Sequence, residues 1–176
     1  MATLYWGGGS GNWDGSSATH WYTDLARTTP SASAPTNADD VIFDSVSNAT
    51  AYAVTMVTGA VCRDCTVSGP ASGSVTFSGS GNFSIFGSWS VAATGVIWST
   101  TGTNTMAATT TGKTINTNGV SINSGTIDFN GVGGGWTCTS AFNSGAGNIT
   151  LTNGSLNTGN QTFTDRKSTR LNSSHV

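Results

Sequence analysis

The sequence predicts an all-β fold: a right-handed parallel β-helix, or β-solenoid, closed at its N-terminal end by an aromatic-rich cap. Three observations point there. Thr, Ser, Gly and Asn make up more than half of the 176 residues, Glu is absent, and charged residues are 8%, which disfavours helices and favours strands and turns. Apolar residues alternate in short runs of period two, the spacing of a strand with one buried face. Those runs also recur at an interval of about 21 residues, the size of one coil of a solenoid.

The alternation begins near Tyr52, in Tyr52/Val54/Met56, and continues through Val75/Phe77, Phe83/Ile85, Trp89/Val91, Ile127/Phe129, Trp136/Cys138 and Ile149/Leu151. Ser78-Gly79, Asn118-Gly119, Asn130-Gly131, Asn153-Gly154 and Thr158-Gly159 punctuate the runs, and Gly and Asn suit corners. Ile85, Met106, Ile127 and Ile149 follow one another by 21, 21 and 22 residues, and Val67 and Trp89 by 22. Residues 52–164 are therefore expected to stack as coils. Strict alternation turns Ile85, Phe129, Ile149 and Leu151 inward and Asp128 outward. One coil alone buries too little apolar surface to offset the entropy of ordering it, so coils must share faces.

Residues 1–51 read as an N-terminal cap. Three of the six tryptophans, Trp6, Trp13 and Trp21, lie there beside Gly7-Gly8-Gly9 and His20, and a solenoid end needs bulky residues to cover its core and open edges. The alternative role for Tyr5, Trp6, Trp13, Trp21 and Tyr22 is an exposed aromatic platform for carbohydrate, a choice that ring accessibility decides.

At these residues the chain resembles a family of Thr/Ser/Gly-rich β-solenoid proteins of tailed bacteriophages and bacterial surfaces. Members open with a Trp-Gly-Gly-x-Gly-x-Trp stretch and a Pro-x-x-x-Asp-Asp-Val-x-Phe-Asp stretch, which Trp6 to Trp13 and Pro35 to Asp44 match. Coils resembling Thr66-Val67-Ser68-Gly69 and Gly112-Lys113-Thr114-Ile115 follow, so the likeness covers nearly all of residues 4–164. It implies a virion or tail-associated structural protein, or a bacterial adhesin-like surface protein, and its motifs carry no known chemistry. Cys65 stands where the pattern generally has Leu.

Residues 165–176 break the Gly/Thr pattern and hold half of all Lys and Arg. From Asp165 to His175 they resemble a translated sequencing-library adapter, and they are expected to be a non-native tail that adds no packed structure. The natural chain is then expected to continue from a DNA fragment that ended there. Up to Thr164 three Lys or Arg face seven Asp, a formal charge of −4.

No catalytic, cofactor-binding or metal-ligating residue is expected. Cys62 and Cys65 lack the second ligand pair of a zinc site, and with Cys138 they read as buried thiols. Asp39-Asp40 could offer oxygens to Ca²⁺ but suits a turn. The acids Asp39, Asp40, Asp44, Asp64 and Asp128 form no obvious catalytic pair of the kind glycoside hydrolysis needs, His20 reads as packing in the cap, and Gly7-Gly8-Gly9 lacks the context of a phosphate loop. Net charge gives no basic surface for nucleic acid, and no run is long and apolar enough to span a bilayer. The functional expectation is thus a non-enzymatic structural protein of a phage virion or tail, partnered by other virion proteins or host cell-surface glycans, with a homotrimer as a possible assembly. The alternatives are a bacterial extracellular adhesin and, after it, a polysaccharide-binding or polysaccharide-degrading β-helix. The family-like opening begins within four residues of Met1, which leaves no room for a signal peptide and favours the virion.

Overall fold

The structure is a computed structural model that describes residues 1–164; the expectation for residues 165–176 lies outside them. Within these residues the chain is all-β and winds as a β-solenoid of about five turns. No helix among them is long and apolar enough to cross a membrane.

The N-terminal segment supplies β1 (Thr3–Trp6), β2 (Gly11–Trp13), β3 (Trp21–Tyr22) and β4 (Asp40–Phe43). The coils follow in order: β5 (Tyr52–Met56), β6 (Ala60–Cys62) and β7 (Cys65–Val67); β8 (Val75–Gly79), β9 (Phe83–Ile85) and β10 (Trp89–Val91); β11 (Val96–Thr100), β12 (Thr103–Met106) and β13 (Lys113–Asn116). Then come β14 (Ile122–Asn123) with β15 (Thr126–Cys138), β16 (Phe142–Asn143) with β17 (Asn148–Asn157), and β18 (Phe163–Thr164).

Every strand but β3 pairs in parallel with its counterpart one coil away, so three faces rise along the molecule. The first runs β2-β5-β8-β11-β14 and is extended by a bridge from Ser121 to Asn143 towards the β16–β18 pair. The second is β6-β9-β12 and the N-terminal half of β15, and the third is β1-β4-β7-β10-β13 and the C-terminal half of β15. The long β15 and β17 each turn from the second face to the third through a register break at Asn130–Gly135. Parallel coil pairing thus reaches into residues 1–51 through β1, β2 and β4. Only β3 is antiparallel, with Tyr5 opposite Tyr22 and Trp6 opposite Trp21, and it covers the otherwise open edge of β1.

The register corrects the spacing that the sequence suggests. Met106 pairs with Phe129, not with Ile127, and the true column is Cys62, Ile85, Met106, Phe129 and Leu151, at intervals of 23, 21, 23 and 22 residues. Trp89 likewise pairs with Cys65, and Val91 with Val67. Coil length varies because corners absorb extra residues, while the face positions stay in register. Ile85 and Phe129 are fully buried and Asp128 points outward, as alternation requires. Leu151 shares the inward column but is 38% exposed, and Ile149 is only partly buried, because β17 lies in the last described coil and no described strand stacks over it.

The core is one apolar column filled largely by rings. Trp6 stacks on Phe43 (5.4 Å), Phe43 meets Phe77 edge-on (5.0 Å), Phe77 stacks on Trp98 (4.3 Å), and Trp89 meets Trp98 edge-on (4.9 Å). Offset and edge-to-face contacts of this kind add to the hydrophobic gain of burial. All six tryptophans are 1% exposed or less.

Candidate functional site

The N-terminal end is where polar and charged side chains gather, and its geometry explains the Gly-rich motif. Arg27 is reached by an excursion between β2 and β4, and its side chain is 6% exposed. It donates to the Trp6 carbonyl (3.0 Å) and to Asp44 (2.6 Å), and its guanidinium lies 4.9 Å from the Tyr5 ring centre. Nearby, burial pushes the Tyr52 hydroxyl up to about 12, with the Asp44 charge adding to it. A Cβ on Gly7 would come within 2.7 Å of the Arg27 chain and 2.8 Å of the Tyr22 ring, and one on Gly11 within 2.0 Å of His20 Nε2. The glycines of the Trp6-to-Trp13 stretch leave room for the excursion to fold back over the coil end.

His20 sits in that space as a packed residue. Its ring stacks on Trp6 at 4.7 Å with 13° between the planes, and Nδ1 lies 2.9 Å from the Gly7 carbonyl oxygen. That oxygen can only accept, so Nδ1 carries the proton and Nε2 of the neutral ring is an acceptor. Trp6 donates its indole N–H to the Gly9 carbonyl (2.9 Å). Trp6, Trp13 and Trp21 are all buried, which removes the three tryptophans from the exposed aromatic platform, because the bulk needed to close the coil end leaves them no face towards solvent; Tyr5 and Tyr22 are half-buried.

The acids are each held by structural partners. Asp39 accepts from the Ala2 amide (2.9 Å), the Thr36 amide (3.1 Å) and the Thr36 hydroxyl (2.6 Å). Burial works against its charge, but the Thr36 and Ala2 donors outweigh it and hold the carboxyl below its ordinary value. Asp40 takes a two-pronged bond from Arg63, at 2.7 and 2.5 Å. Asp64 accepts from the Ser88 amide one coil on (2.7 Å), and Asp128 from the hydroxyls of Thr150 (2.8 Å) and Thr152 (2.7 Å). The structure brings no two of these carboxylates together across an open cleft. Among the described residues no group of three or more His, Cys, Asp or Glu is placed to hold a metal ion.

Cys62, Cys65 and Cys138 are free and buried, facing the core. Burial, and then the neighbouring Cys65 thiol, pushes the Cys62 thiol well up, and burial alone takes Cys138 to about 11. High values keep thiols protonated and poor as nucleophiles or ligands.

An open polar depression of about 340 Å³ lies beside the cap, lined by Gly11, Asn12, Asp14, Ser17, Thr19 and His20. Of its lining only His20 stands out in the sequence, because the walls come from a turn whose closure depends on the fold. No family model, curated protein or solved structure matches the chain.

Proposed function

We propose that this chain is a non-enzymatic structural protein of a phage virion, associated with its tail and contacting other virion proteins or host-surface glycans. The observation that carries the reading is the use made of the chemistry-bearing side chains. Asp39, Asp40, Asp44, Asp64 and Asp128 bind backbone, arginine or threonine partners, whereas glycoside hydrolysis wants two carboxyl groups facing one another across the scissile bond at a defined separation. What remains outward is a lattice of Ser, Thr and Asn on parallel faces, such as Ser84, Thr105, Asp128 and Thr150 in one column. A rigid, weakly charged rod with hydroxyl-rich faces suits a particle component that meets the medium on lysis, and a homotrimer of such rods is a compatible assembly.

Immunogold labelling of purified particles with antibody to the chain tests this, alongside incubation of the full chain with bacterial polysaccharides. Gold on tails with no release of reducing ends supports the reading. Labelling confined to the bacterial envelope would favour the adhesin, and saturable cleavage would overturn both.

A further inference from the structure

We propose that the depression lined by Asn12, Asp14, Ser17, Thr19 and His20 is a binding site for a neutral glycan, taken through adjacent hydroxyls of one sugar ring. The proposal deepens the host-contact part of the preceding reading and rests on it for its biological setting.

The case begins with two fixed acceptors. The His20 ring is clamped between the Trp6 face and the Gly7 carbonyl, so its Nε2, an acceptor in the neutral ring, is held in one place. The side chain of Asp14 is anchored through one oxygen only: Oδ1 accepts from the Ser16 amide (2.8 Å), the Ser16 hydroxyl (2.9 Å) and the Ser17 amide (2.6 Å). Among the described residues Oδ2 accepts nothing. The amides of Ser16 and Ser17, then the Ser16 hydroxyl, hold the Asp14 carboxyl below its ordinary value, so it remains an ionised acceptor near neutral pH. Sugar hydroxyls donate well to such groups, and charge-assisted bonds are the strong ones.

The other walls complement these acceptors. Asn12 is exposed on β2 and provides both a carbonyl and an amide, and the Ser17 and Thr19 hydroxyls bond to each other at 2.9 Å, giving a pair that can donate or accept. The lining holds no Lys or Arg to bind a phosphate or carboxylate, and the Asp14 carboxylate repels one, which selects a neutral ligand. The depression has room for one or two sugar rings and is open, so an oligosaccharide can enter without a lid.

The test is a titration of the isotope-labelled full chain by NMR, with the methyl glycosides of mannose, glucose, galactose, rhamnose and N-acetylglucosamine as probes and calcium chloride as a separate arm. At least one glycoside is expected to shift the Asn12, Ser17 and Thr19 amides and the His20 ring saturably, in the millimolar range. Asp14→Asn retains the oxygen that orders the Ser16–Ser17 turn but turns the free acceptor into a donor, and it should weaken binding about tenfold. Asn12→Ala, at an exposed position, should weaken it without affecting the near-ultraviolet signature of Trp6 and Trp13. No saturable shift with any glycoside, shifts from calcium alone, or equal affinity in both variants would overturn the site. Since tail labelling is read independently of sugar binding, either proposal can fail without the other.

Discussion

At the residue scale, a column of glycines decides how closely coils approach. Gly81, Gly102, Gly125 and Gly147 occupy one corner in successive coils, and a Cβ on each would come within 2.2 to 2.4 Å of backbone in the coil before: Val57, Gly81, Thr101 and Ser124. The Gly125 amide donates to the Gly102 carbonyl at 3.0 Å, a bond that requires this approach. Gly125→Ala is expected to destabilise the chain by about 1–3 kcal/mol, the range of overpacking; an unchanged midpoint in chemical denaturation would contradict the corner geometry. Asn104 is the opposite case, a polar side chain fully buried at an inward position. Its amide donates to Ser124 at 2.6 Å, and Ser124 in turn lies 3.2 Å from the Thr100 hydroxyl, but Asn104 Oδ1 has no partner. An unpaired buried acceptor costs about 1–3 kcal/mol, so Asn104→Leu, of the same branched shape but larger, should raise the unfolding midpoint if the coil takes the added volume. A clear fall would show that the amide does more for the coil than its bonds account for.

At the element scale, the N-terminal cap is the part of the molecule most dependent on ionised carboxylates. Asp14, Asp24 and Asp39 all lie there with depressed values. The Asp24 shift comes from the Thr28 and Thr29 amides, as that of Asp14 comes from Ser16 and Ser17. A depressed carboxyl binds fewer protons folded than unfolded, so its stabilisation is present above the ordinary carboxylate value and lost as pH falls through the folded one. Acidification from pH 6 to pH 2 should therefore loosen residues 14–40 before the coils, seen as loss of amide protection there; cap protection that rises on acidification would reverse the sign. Elements with strict alternation, such as β8 to β10, were legible in the sequence because one buried face leaves a period of two. The corner glycines recur at 21, 23 and 22 residues and were equally periodic, yet glycine is so common in this chain that the column does not stand out. The excursion holding Arg27 against Asp44, 17 residues away, was not legible, and neither was the depression, whose lining residues between 11 and 20 are gathered by turns without a period of their own.

At the scale of the whole molecule, charge and closure are distributed unevenly. Six of the seven Asp and two of the three Lys or Arg up to Thr164 lie at or before residue 64, at the end that β3 and its tryptophans seal. The last described coil is different: β17 carries no charged residue, and Leu151 is 38% exposed on its inward side. The proposed virion role is tested most directly by quantitative mass spectrometry of gradient-purified phage particles. The account predicts peptides of this chain at a fixed ratio to tail proteins in every particle fraction; their absence from particles, with recovery in the envelope of uninfected cells, would contradict it.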